Sequence, residues 1–464
     1  MFSRLTKGRL AILSVLCIGL ALVVAACGSS SKSSSSTPST QAKAANIRGA
    51  TVTMWVMNNG PDPVADTNKI LKPFEQQTGV NVKVKLVGWD VQFDRIRNAA
   101  ISGTGPDITQ AGTTQVPFFA ALGGFEDLSK YTNQIGGQGA YAPGIWKTTQ
   151  VEGQNGTWAV PWFTEARAIY YRKDALRKAG VDPATAFTDW NAFKNTLEKL
   201  KSVKEIDGKK IQPFGGPGKK AFDLVHSIAP FVWGAGGNEL TPDNKKSAID
   251  SPQAQQGVEF YANLIPAGVF DTAALEKDGQ GVENMFKGGQ LATWIGGPWV
   301  LQAAQRADDK TWDPVARKNV GVSPLPKGPS GKAYAFVGGS NLMMYKTAKN
   351  KDAAWAVIKY LSQDATQKSY ADLMGMFPAR LAPQKQVGES DPSHEEFFKA
   401  IEEGRSYAPI PQWAQVENTY KNSFGDILDI AAGDGGKPYN PQTVEQQLQS
   451  AAKEANGLLA QGTG

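Results

Sequence analysis

An α/β fold in two domains is what this sequence predicts, and three observations carry that expectation. Short apolar strands alternate with amphipathic helices, the rhythm restarts near residue 188, and the chain is too long for one core. Of its 464 residues, roughly 415 follow the N-terminal leader and tether, whereas single cores stop growing at about 250–300 residues.

The elements read as follows. Thr51 to Met57 (TVTMWVM) forms a buried strand, and Val80, Val82, Val84 and Leu86 alternate with Asn81, Lys83 and Lys85 as a half-exposed one does. Between them Ile70, Leu71 and Phe74 mark a helix ending at Gly79, which Pro73 is expected to kink or shorten. After Trp89, Phe93, Ile96 and Ala100 recur at helical spacing before Gly103 and Gly105, and Pro106, Asp107 and Ile108 open another strand. Strand, helix, strand, helix is the order of a parallel α/β domain. Further on, Thr188 is expected to cap a helix with Trp190, Phe193, Leu197 and Leu200 on one face. Thr443 and Gln446 are spaced as a capping box ahead of a stripe of Val444, Leu448, Ala452 and Ala455.

The N-terminus predicts export. Arg4, Lys7 and Arg9 precede the apolar run from Ala11 to Ala26, and that run of 16 residues is shorter than the roughly 20 needed to span a bilayer. Val24-Ala25-Ala26-Cys27 resembles the bacterial lipobox. Residues 1–26 are therefore expected to be a lipoprotein signal peptide, with Cys27 acylated (palmitate among the chains) and the protein held on the extracytoplasmic face of the cell membrane by lipid alone. An ordinary signal peptide with a chance cysteine is the alternative. Residues 27–47, rich in Ser, read as a flexible tether with a reach of roughly 25 Å. The fold is expected to start near Arg48.

Composition excludes several classes. Cleavage at Cys27 removes three of the 49 basic side chains and no acidic ones, leaving 46 against 43, with no nucleic-acid signature. Cys17 leaves with the signal and Cys27 takes lipid, so no cysteine remains for a disulfide, a thiolate metal site or a nucleophile. With only His226 and His394 as imidazoles, a histidine-rich zinc site or a Ser-His-Asp hydrolase is disfavoured.

Eight segments, in order, carry a resemblance: TVTMWVM at 51, FEQQTGVNVKV at 74, SGTGPDI at 102, GTWAVPWFTEARAIYYRKDAL at 156, FKGGQLATWIGGPWV at 286, NVGVSPLPKGPSGKAYAFVGGSNL at 319, AAWAVIKYLS at 353 and PIPQW at 409. Together they resemble the extracellular solute-binding proteins that feed sugar ABC transporters, especially maltodextrin-binding proteins. The resemblance implies a two-lobed periplasmic-binding-protein-like α/β fold, with a hinge and an interlobe cleft. Lobe 1 is expected at 49–163 plus 319–361 and lobe 2 at 168–300 plus 362–460. It implies a monomer that captures a di- or oligosaccharide and delivers it to ABC permease subunits, with no catalytic residue, no metal and no cofactor.

A pyranose presents an apolar C–H face and a rim of hydroxyls, so its site needs flat aromatics beside carboxylates or amides. By the resemblance, Glu165 in PWFTEAR stands where the family has a sugar-contacting glutamate, with Trp162 beside it; pairing of Glu165 with Arg167 is the alternative. Trp299 in IGGPW matches a stacking tryptophan, and the two glycines before it allow close approach. Trp413 lies four residues before the position of another stacking tryptophan, where this chain has Glu417. Trp233 is expected either in core or in cleft, and His226 as a satisfied core imidazole. In the first lobe Asn58, Asn59 and Gly60 replace an acid and a lysine of the maltodextrin proteins, and the stretch Thr109 to Thr114 lacks their tryptophan and aspartate. Neutral Asn59, Gln110 and Thr114 suit an uncharged ligand other than maltodextrin. Asp107 is expected to cap a turn or reach the cleft, and Gly338, Gly339 and Ser340 to offer backbone amides or a turn.

Two other readings compete. A secreted glycoside hydrolase needs two carboxylates about 5–10 Å apart, for which Glu165, Asp107 and Glu417 are available. A polyamine or peptide receptor needs several acids facing the cleft. The stretch PFGGPGKK fails as a phosphate loop, because Pro213 and Lys220 stand where glycine and a hydroxyl belong.

Overall fold

The computed structural model describes residues 46–306, 309–390 and 392–461. The leader, most of the tether and Cys27 lie outside the described residues. Strand β1 (Thr51–Val56) runs parallel to β2 (Asn81–Leu86) and to β3 (Ile108–Gly112), with Val52 opposite Val82 and Met54 opposite Ile108. The helix Pro63–Thr78 returns the chain from β1 to β2. It opens on Asp62, whose carboxylate accepts from the Ala65 N–H at 3.1 Å, and closes on Gly79 at φ 73°. Pro73 lies inside this helix without ending it, because buried Ile70, Leu71 and Phe74 anchor it on both sides. The helix Trp89–Ser102 makes the second crossover, and Gly103 ends it at φ 69°.

Next come β4 (Val160–Ala166), β5 (Ala168–Arg172), the hairpin β6 (Glu205–Ile206) and β7 (Lys209–Lys210), and β8 (Gln212–Gly215). Strands β9 (Leu291–Gly296), β10 (Val320–Ser323), β11 (Val337–Met344) and β12 (Phe377–Pro378) complete the set. One six-stranded sheet has the order β12-β4-β11-β3-β1-β2 and one four-stranded sheet the order β10-β5-β9-β8. The parallel α/β expectation holds for β1, β2 and β3, whereas β11 runs antiparallel to both β3 and β4. Each sheet has its own core, around Val52, Met54, Ile108 and Leu342 in the first lobe and Tyr170, Phe214, Phe231 and Leu291 in the second.

Only Arg167 separates β4 in the first sheet from β5 in the second. The return passes through residues 324–336, since β10 pairs with β5 and β11 with β4. This differs from the expected boundaries. Residues 320–323 belong with the second sheet, and the segment after Leu361 stays with the first lobe. There Tyr370 and Met374 pack into its core and β12 pairs with β4. Edge-strand pairing decides both points, and no periodicity in the sequence reports it. The fold also begins one residue early, because Ile47 is buried in the first core.

Two helix starts differ as well. Asp189 rather than Thr188 caps the helix Trp190–Leu200, accepting from the Ala192 N–H at 2.9 Å. Asn440 caps the helix Pro441–Leu459, accepting from the Thr443 N–H, because Pro441 fits the first helical position and starts the helix early. Among the described residues no helix is long and apolar enough to cross a membrane.

One glycine ties the first sheet to the cleft. Gly339 has φ 131°, its carbonyl accepts from the Thr113 N–H at 3.2 Å, and a Cβ there would lie 2.3 Å from the Phe163 carbonyl oxygen. Gly339→Ala is expected to cost at least about 2 kcal/mol through backbone strain and overpacking, read as a fall in the urea midpoint.

Candidate functional site

A cavity of about 470 Å³ lies between the lobes. In a parallel α/β sheet the loops leaving the carboxyl ends of the strands face the ligand crevice. Here Asn58 to Pro61 follow β1, Gly88 to Asp90 follow β2, and Gly112 ends β3 with Thr113 and Thr114 after it, and all three groups line the cavity. The opposite wall comes from Phe222, Asp223 and His226, from the helix Gly279–Lys287, and from Trp294 and Trp299 around the end of β9. Glu165 and Arg167, at the chain crossing, form its floor.

The lobes touch across this cavity. Trp89 stacks on Phe222 with ring centroids 5.9 Å apart, and the Phe222 N–H donates to Asp90 Oδ1 at 3.3 Å. Thr114 donates its hydroxyl to Glu417 at 3.2 Å, and Arg306 pairs with Asp66 at 2.6 Å. The Gln302 side-chain amide donates to the Asp372 carbonyl.

Arg167 lies at the centre. Its guanidinium is 3.3 Å from Glu165, 3.5 Å from Asp223 and 4.9 Å from the ring centre of Trp299. The Glu165 contact is a charge contact without hydrogen-bond alignment, since Arg167 Nε and Glu165 Oε2 are both left without a hydrogen-bond partner. Burial pushes the Glu165 carboxyl upward, Arg167 pulls it back, and Asp223 adds to the rise. Trp299 donates its indole N–H to Glu283 at 2.8 Å and packs against both cores. Its ring lies so close to Gly297 that a Cβ there would stand 1.8 Å from it, so the glycine is what admits the ring.

The expected site residues separate into two groups. Glu165, Trp299, Asn59 and Thr114 line the cavity. Six others do not. Trp162, Trp233 and Trp413 are each 1% exposed, whereas a stacking platform needs an open face and only Trp299 of these four retains one. Trp162 packs on Phe163 and Tyr370, Trp233 donates to Glu239 at 3.0 Å, and Trp413 stacks on Tyr407 at 4.3 Å. Trp413 also borders a separate cavity of about 410 Å³ with Glu239 and Arg405. Asp107 is spent on structure, accepting from the Thr53 N–H and hydroxyl and the Lys349 N–H at 2.7, 2.8 and 2.8 Å. Gln110 lies behind Asn59, accepting from its amide at 2.8 Å and from the Met57 N–H at 2.9 Å while donating to Ser340.

Glu417 sits just behind the wall, 3.6 Å from His226. Burial lifts the Glu417 carboxyl to about 8 and drives His226 well below its ordinary value, with Arg167 adding to the latter. Both are therefore neutral at pH 7, and their contact is not an ion pair. His226 stacks flat on Phe336 with centroids 3.8 Å apart, and its Nδ1 is 3.0 Å from the Tyr407 hydroxyl.

Trp89, Asp90, Phe222, Asp223, Asp278, Glu283, Lys287 and Phe336 also line the cavity and were not anticipated. Position after a strand was an available signal for Trp89 and Asp90; nothing local marks Phe222 or Asp223.

Comparison with known proteins follows the same outline. The family described as bacterial extracellular solute-binding protein matches residues 59–368. The diacetylchitobiose binding protein DasA of Streptomyces coelicolor is 27% identical over 407 residues, covering 86% of this chain and 88% of that protein. The maltodextrin-binding protein MdxE of Bacillus subtilis is 24% identical over 368 residues, covering 78% and 81%. A solute-binding protein of an ABC transporter from Thermotoga lettingae, solved with α-D-tagatose bound, superposes with a TM-score of 0.77 at 25% identity, covering 88% of this chain and 100% of that one.

The neutral Glu417 makes a pH prediction. Its folded pKa lies above the ordinary 4.5, so folding takes up a proton and stability falls as pH rises from 4.5 to about 8. His226 acts oppositely, because the unfolded chain gains a proton below pH 6.5 that the folded one refuses. Glu417→Gln is expected to flatten the alkaline loss, by a few kcal/mol at ~1.4 kcal/mol per pH unit, and to leave the acid loss intact. Thermal midpoints followed across this pH range test it; an unchanged alkaline slope contradicts it.

Proposed function

The chain belongs to the bacterial extracellular solute-binding protein family, and on that premise we propose that it captures a di- or oligosaccharide by lobe closure and delivers it to the permease subunits of an ABC importer. One observation carries the sugar reading: the interlobe cavity of about 470 Å³ falls within the ~300–1,000 Å³ of small-ligand sites and holds a fixed, half-buried Trp299 beside carboxylates. The indole supplies the flat apolar face that a pyranose needs, and Glu165, Glu283 and Asp223 supply acceptors for its hydroxyls.

Capture follows from the crossings. Arg167 alone joins β4 to β5, the return runs through residues 324–336, and the chain crosses again after β12 to reach the second core, so a few backbone angles at these crossings swing the lobes. The contacts across the cleft, Thr114 to Glu417 and Trp89 to Phe222, form only when the lobes meet. A ligand that fills the cavity and touches both walls favours that state.

We further infer that the mature chain starts at Cys27, carries lipid there and works as a membrane-tethered monomer. The roughly 25 Å tether keeps the receptor at high local concentration near its permease.

Calorimetry of the full chain in detergent against di- and oligosaccharides, spermidine and short peptides tests the ligand class. Heat with at least one saccharide is expected, and Trp299→Ala is expected to weaken that binding tenfold or more while the protein stays folded. Cleaved sugar in the same mixtures would point to a hydrolase instead. For the anchor, Cys27→Ala is expected to move the protein from the membrane fraction to the soluble one and to abolish labelling by radioactive palmitate.

A further inference from the structure

A second cavity, of about 410 Å³, lies across the return crossing from the first. Phe336 in that crossing lines the first cavity. Arg405 lines the second and flanks the same residue, its N–H donating to the Ala335 carbonyl at 2.9 Å and its carbonyl accepting from the Val337 N–H at 2.8 Å. The two cavities share no lining residue. Lys147, at the end of the helix Pro143–Lys147, reaches the second cavity from the first lobe, whereas Glu239, Arg405, Tyr407 and Trp413 belong to the second lobe.

Two buried polar side chains on this wall lack a partner among the described residues. Glu239 is 7% exposed and accepts the Trp233 indole N–H at 3.0 Å on Oε2, but its Oε1 has no donor. Arg405 is near enough to pull the Glu239 carboxyl down against the larger rise from burial, yet among the described residues no cation lies within 4 Å of it. Trp413 is 1% exposed, its ring stacks on Tyr407, and its indole N–H has no acceptor. Buried polar groups are nearly always satisfied. An orphaned acceptor and an orphaned donor on one wall therefore mark a place for groups that supply both, and hydroxyls donate and accept at one oxygen.

The same wall carries excess positive charge. Lys147 and Arg405 line it with Glu239 as the one acid, and among the described residues neither cation has a carboxylate within 4 Å. Arg405 donates to Asn238 at 2.6 Å and lies over the rings of Trp233 and Tyr334, an arrangement that fixes the guanidinium without neutralising it. A carboxylate is drawn to the two cations and repelled by Glu239, so an anion with hydroxyls has one preferred orientation here.

We propose that this cavity is a second ligand site, for a small hydroxycarboxylate whose carboxylate lies between Lys147 and Arg405 and whose hydroxyls serve Glu239 Oε1 and the Trp413 N–H. It is separate from the cavity on which the saccharide reading rests, and neither depends on the other. Its volume falls within the ~300–1,000 Å³ of small-ligand sites.

Gluconate, sorbitol and hexanoate separate the contributions in calorimetry of the full chain in detergent, since sorbitol lacks the carboxylate and hexanoate the hydroxyls. Gluconate is expected to bind at least tenfold tighter than either, with an advantage over sorbitol that shrinks in high salt. Lys147→Ala, which alters an exposed side chain, and Glu239→Gln, which keeps an oxygen for the Trp233 N–H, are each expected to weaken gluconate binding fivefold or more. Binding is expected to persist in Trp299→Ala, which disables the first cavity. No heat with millimolar gluconate would leave the cavity to water and overturn the proposal. Equal affinity for sorbitol or for hexanoate would overturn the hydroxycarboxylate assignment. Binding lost in Trp299→Ala and untouched in Lys147→Ala and Glu239→Gln would put the anion in the first cavity and overturn the second site.

Discussion

The buried guanidinium of Arg167 is the constraint on which the rest of the cleft depends. It occupies the one residue between two sheets, where the backbone must be free to bend, yet its side chain is 9% exposed and surrounded by Glu165, Asp223 and Trp299. A buried cation needs compensating acids. Those acids come from both lobes, so the charge that must be satisfied for the chain to fold also joins the lobes at their pivot. Trp299 is fixed by the same arrangement, with Arg167 over its ring and Glu283 on its indole nitrogen. The stacking face is therefore already oriented before a ligand arrives, which reduces the ordering cost of binding.

Burial divides the wall into two electrostatic regions. Around His226, Glu417, Tyr407 and Phe336 the groups are packed and stacked, burial favours their neutral forms, and Thr114 reaches across to hydrogen-bond Glu417. Around Asp90, Asp223 and Asp278 carboxylates accumulate beside an aromatic stack. A sugar is suited to such a cavity because it offers hydroxyls to Glu165, Glu283 and Asp223 and a C–H face to the indole.

The sequence reading reached the fold where periodicity or local chemistry governs. An apolar run marked β1 and alternation marked β2, and Gly79 and Gly103 closed their helices through φ values that other residues adopt at a cost. Segment order marked the family, and family position marked Glu165 and Trp299, both of which line the cleft. It failed where a residue's partner lies far along the chain. Trp162 meets Tyr370, Asp107 meets Thr53 and Lys349, and Gln110 meets Asn59 and Ser340. Each was a reasonable polar or aromatic candidate by type, and each is consumed by a contact that no local window contains.

By itself, then, the sequence determined the α/β class, the helices and parallel strands of the first lobe, and the exclusion of cysteine chemistry from the fold, while the crossing near Glu165 came from the family resemblance. Those depend on side-chain spacing, backbone freedom and composition, all of which are local. Only the tertiary structure decided which tryptophan keeps an open face, where the lobes exchange chain, and that Asp90, Asp223 and Asp278 converge from opposite walls. Burial and charge proximity are properties of pairs distant in sequence, and they exist only once both sheets have formed and met.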